Sequence, residues 1–285
     1  MSAGPNPVVA FPGACDCHMH VYDSRYPVAP GATLRPADAS VDDYRQVQHV
    51  LGTQRVIVVT PSTYGTDNAS TTDAIAALGA CARGVAVVAP QVTDDELARL
   101  HRAGIRGIRL NLTLPAPVSL DDLPTLAARI AGFGWHVQLN LPPAWLPDAA
   151  GMLAGLPVPV VFDHYGHLPL GKPEAEPAYR VIAGLVSAGK AWVKLSGPYI
   201  ESLQGAPHYG DMRPLAARYL DLAPERMLWG SDWPHPSAQA RAVPPVDDAA
   251  VLRAFLGWCG SSDTAQQVLV GNPQSLYGFG DIAPA

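Results

Sequence analysis

The chain has 285 residues, of which 48% are hydrophobic and 15% are charged, and its formal net charge is −6 at pH 7. An acidic chain with no cluster of basic residues lacks the charge that binds phosphates, which argues against a nucleic-acid partner. No apolar run approaches the roughly 20 residues that a membrane span needs. Four cysteines and the lack of a secretory leader predict a cytoplasmic protein with free thiols.

Residues 1–13 are rich in proline and glycine and are predicted to be a loose lead-in. The next segment, 15–21, alternates polar and apolar residues, which predicts a strand. With a period of two, three polar side chains would share one face of this strand and three apolar side chains the other: Asp16, His18 and His20 against Cys15, Cys17 and Met19. Two imidazoles on one face favour a site at a cavity, and the alternative is a solvent-facing pair on an edge strand.

Apolar runs and segments of helical periodicity alternate along the rest of the chain. The predicted strands cover residues 55–60, 85–88, 107–112, 136–141, 158–164, 191–197 and 226–229. The predicted helices cover residues 41–51, 70–81, 93–104, 120–132, 147–154, 177–189, 211–222, 247–258 and 263–270.

Strict alternation of helices with buried, β-branched strands is typical of a parallel sheet. Eight such units predict an α/β fold, one closed (β/α)8 TIM barrel in a single domain over residues 14–279, with a tail over 280–285. No glycine-rich phosphate fingerprint follows the first strand, which argues against a dinucleotide-binding sheet.

A closed barrel brings sequence-distant residues to one rim, at the carboxyl ends of its strands, where catalytic groups lie. His18 and His20 belong to strand 1, His164 ends strand 6, and Asp232 follows strand 8, the neighbour of strand 1. We therefore predict that these four residues form a catalytic site. Taken alone, Asp232 has an equal alternative as the cap of the next helix, and a lone histidine at a strand end is more often structural.

Arg109 lies within the apolar run of strand 4, where an unpaired guanidinium is costly to bury. Two interpretations stay open, a structural ion pair or a fork that holds a substrate carboxylate. Asn140 at the end of strand 5, and Ser62, Tyr64 and Tyr199 in the loops after strands 2 and 7, are predicted to contact the rest of the substrate.

Five segments together make the chain resemble the amidohydrolase superfamily over residues 14–279. They are Asp16-Cys17-His18-Met19-His20, Gly107-Ile108-Arg109-Leu110-Asn111, Phe162-Asp163-His164-Tyr165-Gly166, Lys194-Leu195-Ser196-Gly197-Pro198 and Leu228-Trp229-Gly230-Ser231-Asp232-Trp233-Pro234-His235-Pro236. More narrowly, the chain is similar to the amidohydrolase 2 branch of lactone hydrolases. That branch includes 2-pyrone-4,6-dicarboxylate hydrolase, sugar-acid lactonases and lactone isomerases.

The resemblance implies hydrolysis of a carboxylate-bearing lactone, a small-molecule substrate. Asp232 would be the general base, taking a proton from water and returning it to the ring oxygen. His18, His20 and His164 would donate hydrogen bonds to the carbonyl oxygen and stabilise the oxyanion. Arg109 would anchor the substrate carboxylate.

Two departures from the family pattern bear on cofactor and substrate. The chain lacks the bridging lysine, carboxylate or second histidine of metal-binding members on strands 4 and 5, and the pyrone-dicarboxylate hydrolases that it resembles work without metal. No cofactor is therefore expected to be required, but the three histidines and Asp232 would form a tetrahedral site if zinc is bound. Pro115 and Ile200 stand where those hydrolases have further arginines, which favours a lactone with one carboxylate or a hydroxylated sugar-acid lactone.

Three alternatives to a lactonase stay open. They are a sugar-acid lactone isomerase on the same residues, a zinc-dependent amidohydrolase or decarboxylase on the same scaffold, and a non-catalytic sugar-acid binding protein. The sequence makes no prediction of the oligomeric state.

Overall fold

Eight short strands form one parallel sheet in which each strand pairs with the next in sequence. The structure, a computed structural model, describes residues 7–9, 11–171, 173–241 and 243–280. The strands are β1 Cys15–Met19, β2 Arg55–Val59, β3 Ala82–Ala86, β4 Ile105–Asn111, β5 His136–Asn140, β6 Val160–Phe162, β7 Ala191–Ser196 and β8 Met227–Gly230.

The first and last strands close this sheet into a barrel. Met19 forms a parallel bridge with Trp233, which follows β8. The Asp232 N–H donates to the carbonyl oxygen of His18, and the His20 N–H donates to that of Trp233, each at 2.8 Å. Closure removes the free edges of the sheet and confirms the (β/α)8 TIM barrel.

Helices follow the strands and bury their apolar faces against the barrel. They are α1 Val41–Leu51, α2 Ala69–Leu78, α3 Asp94–Arg102, α4 Leu123–Ala131, α5 Leu146–Gly155, α6 Pro177–Ser187, α7 Arg213–Leu222, α8 Pro236–Ala240, α9 Asp248–Trp258, α10 Ser262–Gln266 and α11 Asn272–Tyr277. Ser40 and Asp43 form a capping box at the start of α1, which satisfies backbone N–H groups that a helix leaves free. Within the described ranges, no helix combines the length and apolar character needed to cross a membrane.

The third strand lies earlier than the sequence predicts, over Ala82–Ala86 instead of 85–88. Gly84 in its middle allows α2 and β4 to approach closely, because a Cβ there would lie 2.5 Å from Ile75 Cδ1 and 2.7 Å from Ile105 Cδ1. A strand that contains a required glycine shows no continuous apolar run, so its first residues are not recognisable from the pattern.

The prediction that Asp16 and His18 share one face of β1 is wrong. The register of β1 against β2 shifts between Asp16, which pairs with Val56, and Met19, which pairs with Val58. Three steps along β1 therefore match two steps along β2, which is the signature of a β-bulge. An alternation with period two does not continue through such an irregularity.

The bulge separates His18 from Asp16. Cys15 and Cys17 pack inside the barrel, and His18 also points inward, where its ring lies close to Asp163 at the end of β6. Asp16 instead points outward and accepts a hydrogen bond from the hydroxyl of Tyr44 in α1 at 3.0 Å. The histidine pair therefore does not lie opposite both cysteines, as a regular strand would require.

The predicted terminal segments are only partly described. Residues 1–6, 10 and 281–285 lie outside the described residues. Val8 and Val9 of the lead-in are not loose, because their N–H groups donate to the carbonyl oxygens of Val50 and Leu51 at 3.0 Å. They extend the barrel's outer layer at the end of α1.

Candidate active site

Three imidazoles and one carboxylate meet at the rim formed by the carboxyl ends of the strands. His18 Nε2 lies 3.3 Å from His20 Nε2. Asp232 Oδ1 lies 3.5 Å from His18 Nε2, 3.6 Å from His20 Nε2 and 4.0 Å from His164 Nε2. All four residues are buried. The structure thus brings together the four residues that the sequence analysis selects as catalytic.

Sharp turns at the ends of β6 and β8 aim two of these side chains at the rim. His164 has a φ of 47° and Asp232 a φ of 63°, in the left-handed region that non-glycine residues rarely adopt. Such residues cost about 1–3 kcal/mol and persist where their surroundings fix them, often at functional sites. Gly197 at the end of β7 leaves them room, because a Cβ there would lie 3.1 Å from His164 Nδ1 and 3.4 Å from Asp232 Oδ2.

The hydrogen bonds of His20 determine its tautomer. Its Nδ1 lies 2.8 Å from the carbonyl oxygen of Val59. A carbonyl oxygen only accepts hydrogen bonds, so Nδ1 carries the proton and Nε2 of the neutral ring presents a lone pair. Neutral His20 therefore cannot donate from Nε2 to a substrate carbonyl, which differs from the role implied by the family resemblance.

The other two histidines have a choice of tautomer. His164 Nδ1 lies 3.0 Å from the hydroxyl of Ser196, which can donate or accept. His18 Nδ1 lies 3.3 Å from Asp163 Oδ1, an acceptor, and 3.4 Å from Lys194 Nζ, a donor. Either ring can therefore carry its proton on Nε2 and donate it to a group in the cavity.

Charge in the cluster is set mainly by burial. Burial lowers the pKa of His164 to about 4, and burial together with Lys194 lowers the pKa of His18 well below its ordinary value. Burial alone would raise the pKa of Asp232, but the surrounding histidines, above all His164, lower it overall. At pH 7 the site thus contains an ionised carboxylate beside neutral His18 and His164.

Tyr199 contacts Asp232 and is not simply a substrate contact as the sequence analysis predicts. Its hydroxyl donates to Asp232 Oδ2 at 2.5 Å. Burial and the neighbouring Asp232 raise the pKa of Tyr199 well above its ordinary value, so the hydroxyl keeps its proton. With Oδ2 occupied in this way, Asp232 directs Oδ1 toward the imidazole nitrogens.

Asp163 is a buried carboxylate that the sequence analysis missed as a site residue. It accepts hydrogen bonds from Arg109 Nε at 2.9 Å and Gln138 Nε2 at 3.1 Å, and it lies 3.3 Å from His18 Nδ1. Burial would raise its pKa, but His18 and Arg109 lower it well below its ordinary value. The usable sequence signal is an acid at the end of an apolar run, because a carboxylate there needs partners from other strands.

Lys194 on β7 adds a second buried cation to this network. Its Nζ donates to Gln138 Oε1 at 2.7 Å and lies 3.9 Å from Asp163 Oδ1. Burial lowers the pKa of Lys194 to about 8. Asp163 is therefore the counter-charge of both Lys194 and Arg109 inside the barrel.

Arg109 combines the two interpretations left open by the sequence. It forms the structural ion pair through Nε, and it also lines the cavity above the cluster. Within the part of the chain that the structure describes, its two Nη atoms make no hydrogen bond. Asp163 thus orients a guanidinium fork whose outer nitrogens are free to bind a carboxylate.

A cavity of about 350 Å³ opens above the cluster. Ser62 and Asn140 line it, as predicted for substrate contacts. Tyr64 is not among the lining residues, because its hydroxyl accepts from the Asp23 N–H at 2.8 Å and donates to the Asp23 carbonyl oxygen at 3.0 Å. Tyr64 therefore holds the loop that follows β1.

Three residues at the cavity mouth are not predicted from the sequence: His167, Glu201 and Arg241. Arg241 follows α8, and its Nη1 donates to the carbonyl oxygen of Ile200 at 3.0 Å. All three lie in segments whose path depends on contacts with other loops. The sequence pattern at the ends of strands therefore does not predict these three positions.

Asp16 joins the two halves of the site from outside the barrel. Its Oδ1 accepts from the His18 N–H at 3.1 Å and the Ser231 N–H at 2.9 Å, and its Oδ2 accepts from the Ser231 hydroxyl at 2.6 Å. Burial raises the pKa of Asp16 to about 6. Because Ser231 precedes Asp232, this carboxyl fixes the bulge of β1 against the end of β8.

Comparison with known proteins identifies the family. The family model for amidohydrolases matches residues 15–279. The chain belongs to the amidohydrolase family. It is 34% identical over 277 residues to 2-pyrone-4,6-dicarboxylate hydrolase of Comamonas testosteroni, covering 93% of this chain and 90% of the relative. It is 32% identical over 277 residues to D-galactarolactone isomerase of Agrobacterium fabrum, covering 96% of this chain and 93% of the relative. The ligand-free crystal structure of an Agrobacterium tumefaciens protein superposes on this chain with a TM-score of 0.87 at 31% identity. The superposition covers 97% of this chain and 100% of that protein.

The donor set of this amidohydrolase fits a divalent metal ion. His18, His20 and Asp232 offer ligand atoms that lie within 4.8 Å of one another. The tautomer that Val59 imposes on His20 is the one that binds a metal through Nε2, and zinc accepts imidazole and carboxylate ligands in four-coordinate sites. A metal held by these residues and His164 would supply Lewis-acid polarisation of a carbonyl group.

His136 is expected to make the stability of the amidohydrolase dependent on pH. It lies buried inside the barrel. Burial, with Lys194, lowers its pKa from 6.5 to about 3. A histidine with a depressed folded-state pKa takes up a proton on unfolding, so its stabilisation is present above pH 6.5 and is lost as the pH falls. His18 and His164 act in the same direction, while the raised pKa of Asp16 acts in the opposite direction between pH 3.8 and 6.

We expect the free energy of unfolding to fall as the pH drops from 6 to 4, since three histidines outweigh one carboxyl group, and His136 alone should contribute about 1.4 kcal/mol per pH unit. The variant His136→Gln removes one of the three histidines and should make the slope shallower by about 1.4 kcal/mol per pH unit, without abolishing it. Urea unfolding at pH 7, 6, 5 and 4.5 measures both profiles. An equal pH slope in the variant would show that His136 is not the source.

Proposed function

We propose that this amidohydrolase hydrolyses a carboxylate-bearing lactone and opens the ring at its C–O ester bond. The observation that carries the proposal is Asp232, whose Oδ1 lies 3.5–4.0 Å from three imidazole nitrogens beside a cavity that Arg109 also lines. A base for water and donors for a carbonyl oxygen are thus held side by side. The names of two relatives, a pyrone-dicarboxylate hydrolase and a galactarolactone isomerase, support a lactone as the substrate.

The attacking water would be held by two acceptors. Asp232 Oδ1 and the Nε2 lone pair of His20 lie 3.6 Å apart, so one water can donate a hydrogen to each. Asp232 then takes the proton as the water oxygen bonds to the carbonyl carbon. The simplest route returns this proton from Asp232 to the ring oxygen.

The carbonyl oxygen would be bound by the two histidines that can carry a proton on Nε2. His18 and His164 donate to it and stabilise the negative charge that develops on this oxygen. Arg109 binds the substrate carboxylate through its outer nitrogens, and Asn140 and Ser62 contact the remaining polar groups. With its proton on Nδ1, His20 offers the carbonyl oxygen no hydrogen bond, and it would be a ligand through Nε2 if a metal ion were bound.

A lactone isomerase is the second candidate, and the 32% identity to D-galactarolactone isomerase favours it. A hydroxyl group of the substrate would take the place of water beside Asp232. The same histidines would bind the carbonyl oxygen, so only the nucleophile differs.

A panel of lactones tests the proposal. Purified protein is incubated with lactones that carry one, two or no carboxylates, and proton NMR identifies the products, with zinc and other metals measured on the same sample. We expect an open hydroxy acid from a carboxylated lactone; a new ring of different size indicates the isomerase, and release of CO₂ that a chelator abolishes indicates the zinc decarboxylase. Turnover of none of the lactones contradicts the proposal.

We also propose a cytoplasmic location. All four cysteines are free thiols, three of them buried, which supports a reducing compartment.

A further inference from the structure

His167 and Glu201 form a pair at the cavity mouth that the hydrolysis described above does not use. His167 Nδ1 lies 2.9 Å from Glu201 Oε1, and its Nε2 lies 2.5 Å from Asn140 Oδ1. A carboxylate and an amide oxygen only accept hydrogen bonds, so both ring nitrogens donate in this arrangement. Their side chains are 14% and 29% exposed, and both residues line the cavity. His167 therefore presents an Nε2–H group at the cavity wall, hydrogen-bonded to Asn140.

The ring of His167 stands next to the reaction centre. Its centroid lies 5.5 Å from that of His164, in an edge-on arrangement. His164 binds the carbonyl oxygen in the proposed reaction, and the carbonyl oxygen and the ring oxygen of a lactone are bonded to the same carbon. His167 lies in the turn after β6, whereas Asp232 follows the end of β8. Base and donor thus belong to different walls of the cavity.

We propose that His167, oriented by Glu201, is the general acid that protonates the departing ring oxygen. The inference rests on the proposed lactone hydrolysis and assigns to His167 the proton transfer that would otherwise fall to Asp232. As the tetrahedral intermediate collapses, the C–O bond to the ring oxygen breaks and its electron pair stays on that oxygen. The oxygen takes the proton from His167 Nε2 and becomes a hydroxyl group. Asp232 releases to solvent the proton taken from water, and His167 takes one up, so the net reaction adds one water molecule.

A built-in acid also indicates the substrate class. The enol oxygen of an unsaturated ring leaves readily as an anion and gains little from protonation. The alcohol oxygen of a saturated ring is a much poorer leaving group, and general acid catalysis then matters most. The pair therefore points to a saturated, alcohol-derived lactone as the substrate of this amidohydrolase.

The dependence of the His167→Gln effect on the leaving group tests this role. Two carboxylated lactones of equal ring size are compared, one saturated and one an enol lactone. We expect kcat/KM to fall about 100- to 10,000-fold for the saturated lactone and by less than about tenfold for the enol lactone. Glu201→Gln should show the same selectivity with a smaller loss, because Glu201 acts through His167 as a positioning residue.

The controls separate this inference from the proposed function. His208→Gln changes an exposed histidine in the loop after β7 and should alter neither rate. An equal loss on both lactones in His167→Gln, in a variant that unfolds at the wild-type urea concentration, would overturn the role as acid. If that variant fails to fold, the same comparison with Glu201→Gln decides. A wild-type protein that opens neither lactone would instead overturn the proposed hydrolysis itself.

Discussion

An Asp232→Asn variant is expected to lose about a hundred- to ten-thousandfold of its lactone turnover, because asparagine keeps the shape of the side chain but cannot take a proton from water. The variant should fold. Asparagine tolerates the left-handed backbone at this position, and its amide oxygen can still accept the hydrogen bond from Tyr199. The loss should appear in kcat with little change in KM, measured on the lactone that the panel selects.

Asp221→Asn is a matched control, because it makes the same chemical change at an exposed position on α7. Near-normal turnover by Asp232→Asn would reject its assignment as the base. Metal content is measured for wild type and both variants, since loss of a bound metal would also reduce the rate. Equal metal content with a large loss of kcat supports the assignment.

Asp163→Asn is expected to be the most destabilising single change in the site, by about 3–5 kcal/mol. Asp163 is the carboxylate that lies near both Arg109 and Lys194 inside the barrel. Asparagine preserves the volume but leaves two buried cations without a counter-charge. Urea unfolding at pH 7 measures the loss, and activity should fall with it because Arg109 loses the carboxylate that orients its guanidinium group.

Two further variants isolate the electrostatic cause. Asp94 forms an ion pair with Arg129, and the Asp94 side chain is 91% exposed. Asp94→Asn should therefore lower the free energy of unfolding by less than about 1 kcal/mol. Adding Lys194→Met to Asp163→Asn removes one of the uncompensated cations and should recover part of the lost stability. Wild-type stability in Asp163→Asn would contradict the proposed importance of the buried network.

The arrangement of strands and helices is largely readable from the sequence. Continuous β-branched runs such as Arg55–Val59 are buried on both faces, and this burial is what a repeated apolar pattern records. The third strand is the exception. Close packing around Gly84 leaves no room for a side chain. The glycine interrupts the apolar run, so the sequence pattern does not show the first residues of this strand.

The convergence of the candidate catalytic residues is also predictable. Barrel closure makes β1 and β8 neighbours, and the carboxyl ends of parallel strands share one rim. Asp232 and the segment that holds His18 and His20 must therefore lie close together if eight strands close. This step needs only strand order and the position of each residue at a strand end.

The details of the site were decided by the tertiary structure. The bulge that turns His18 inward arises from the pairing of β1 with β2. The contact of Tyr199 with Asp232, and of His167 with Glu201, depends on the path of loops from different strands. Sequence periodicity reports which face of an element is buried. Periodicity does not indicate which distant side chain a buried charge or a loop hydroxyl contacts, because these contacts depend on how separate elements pack together.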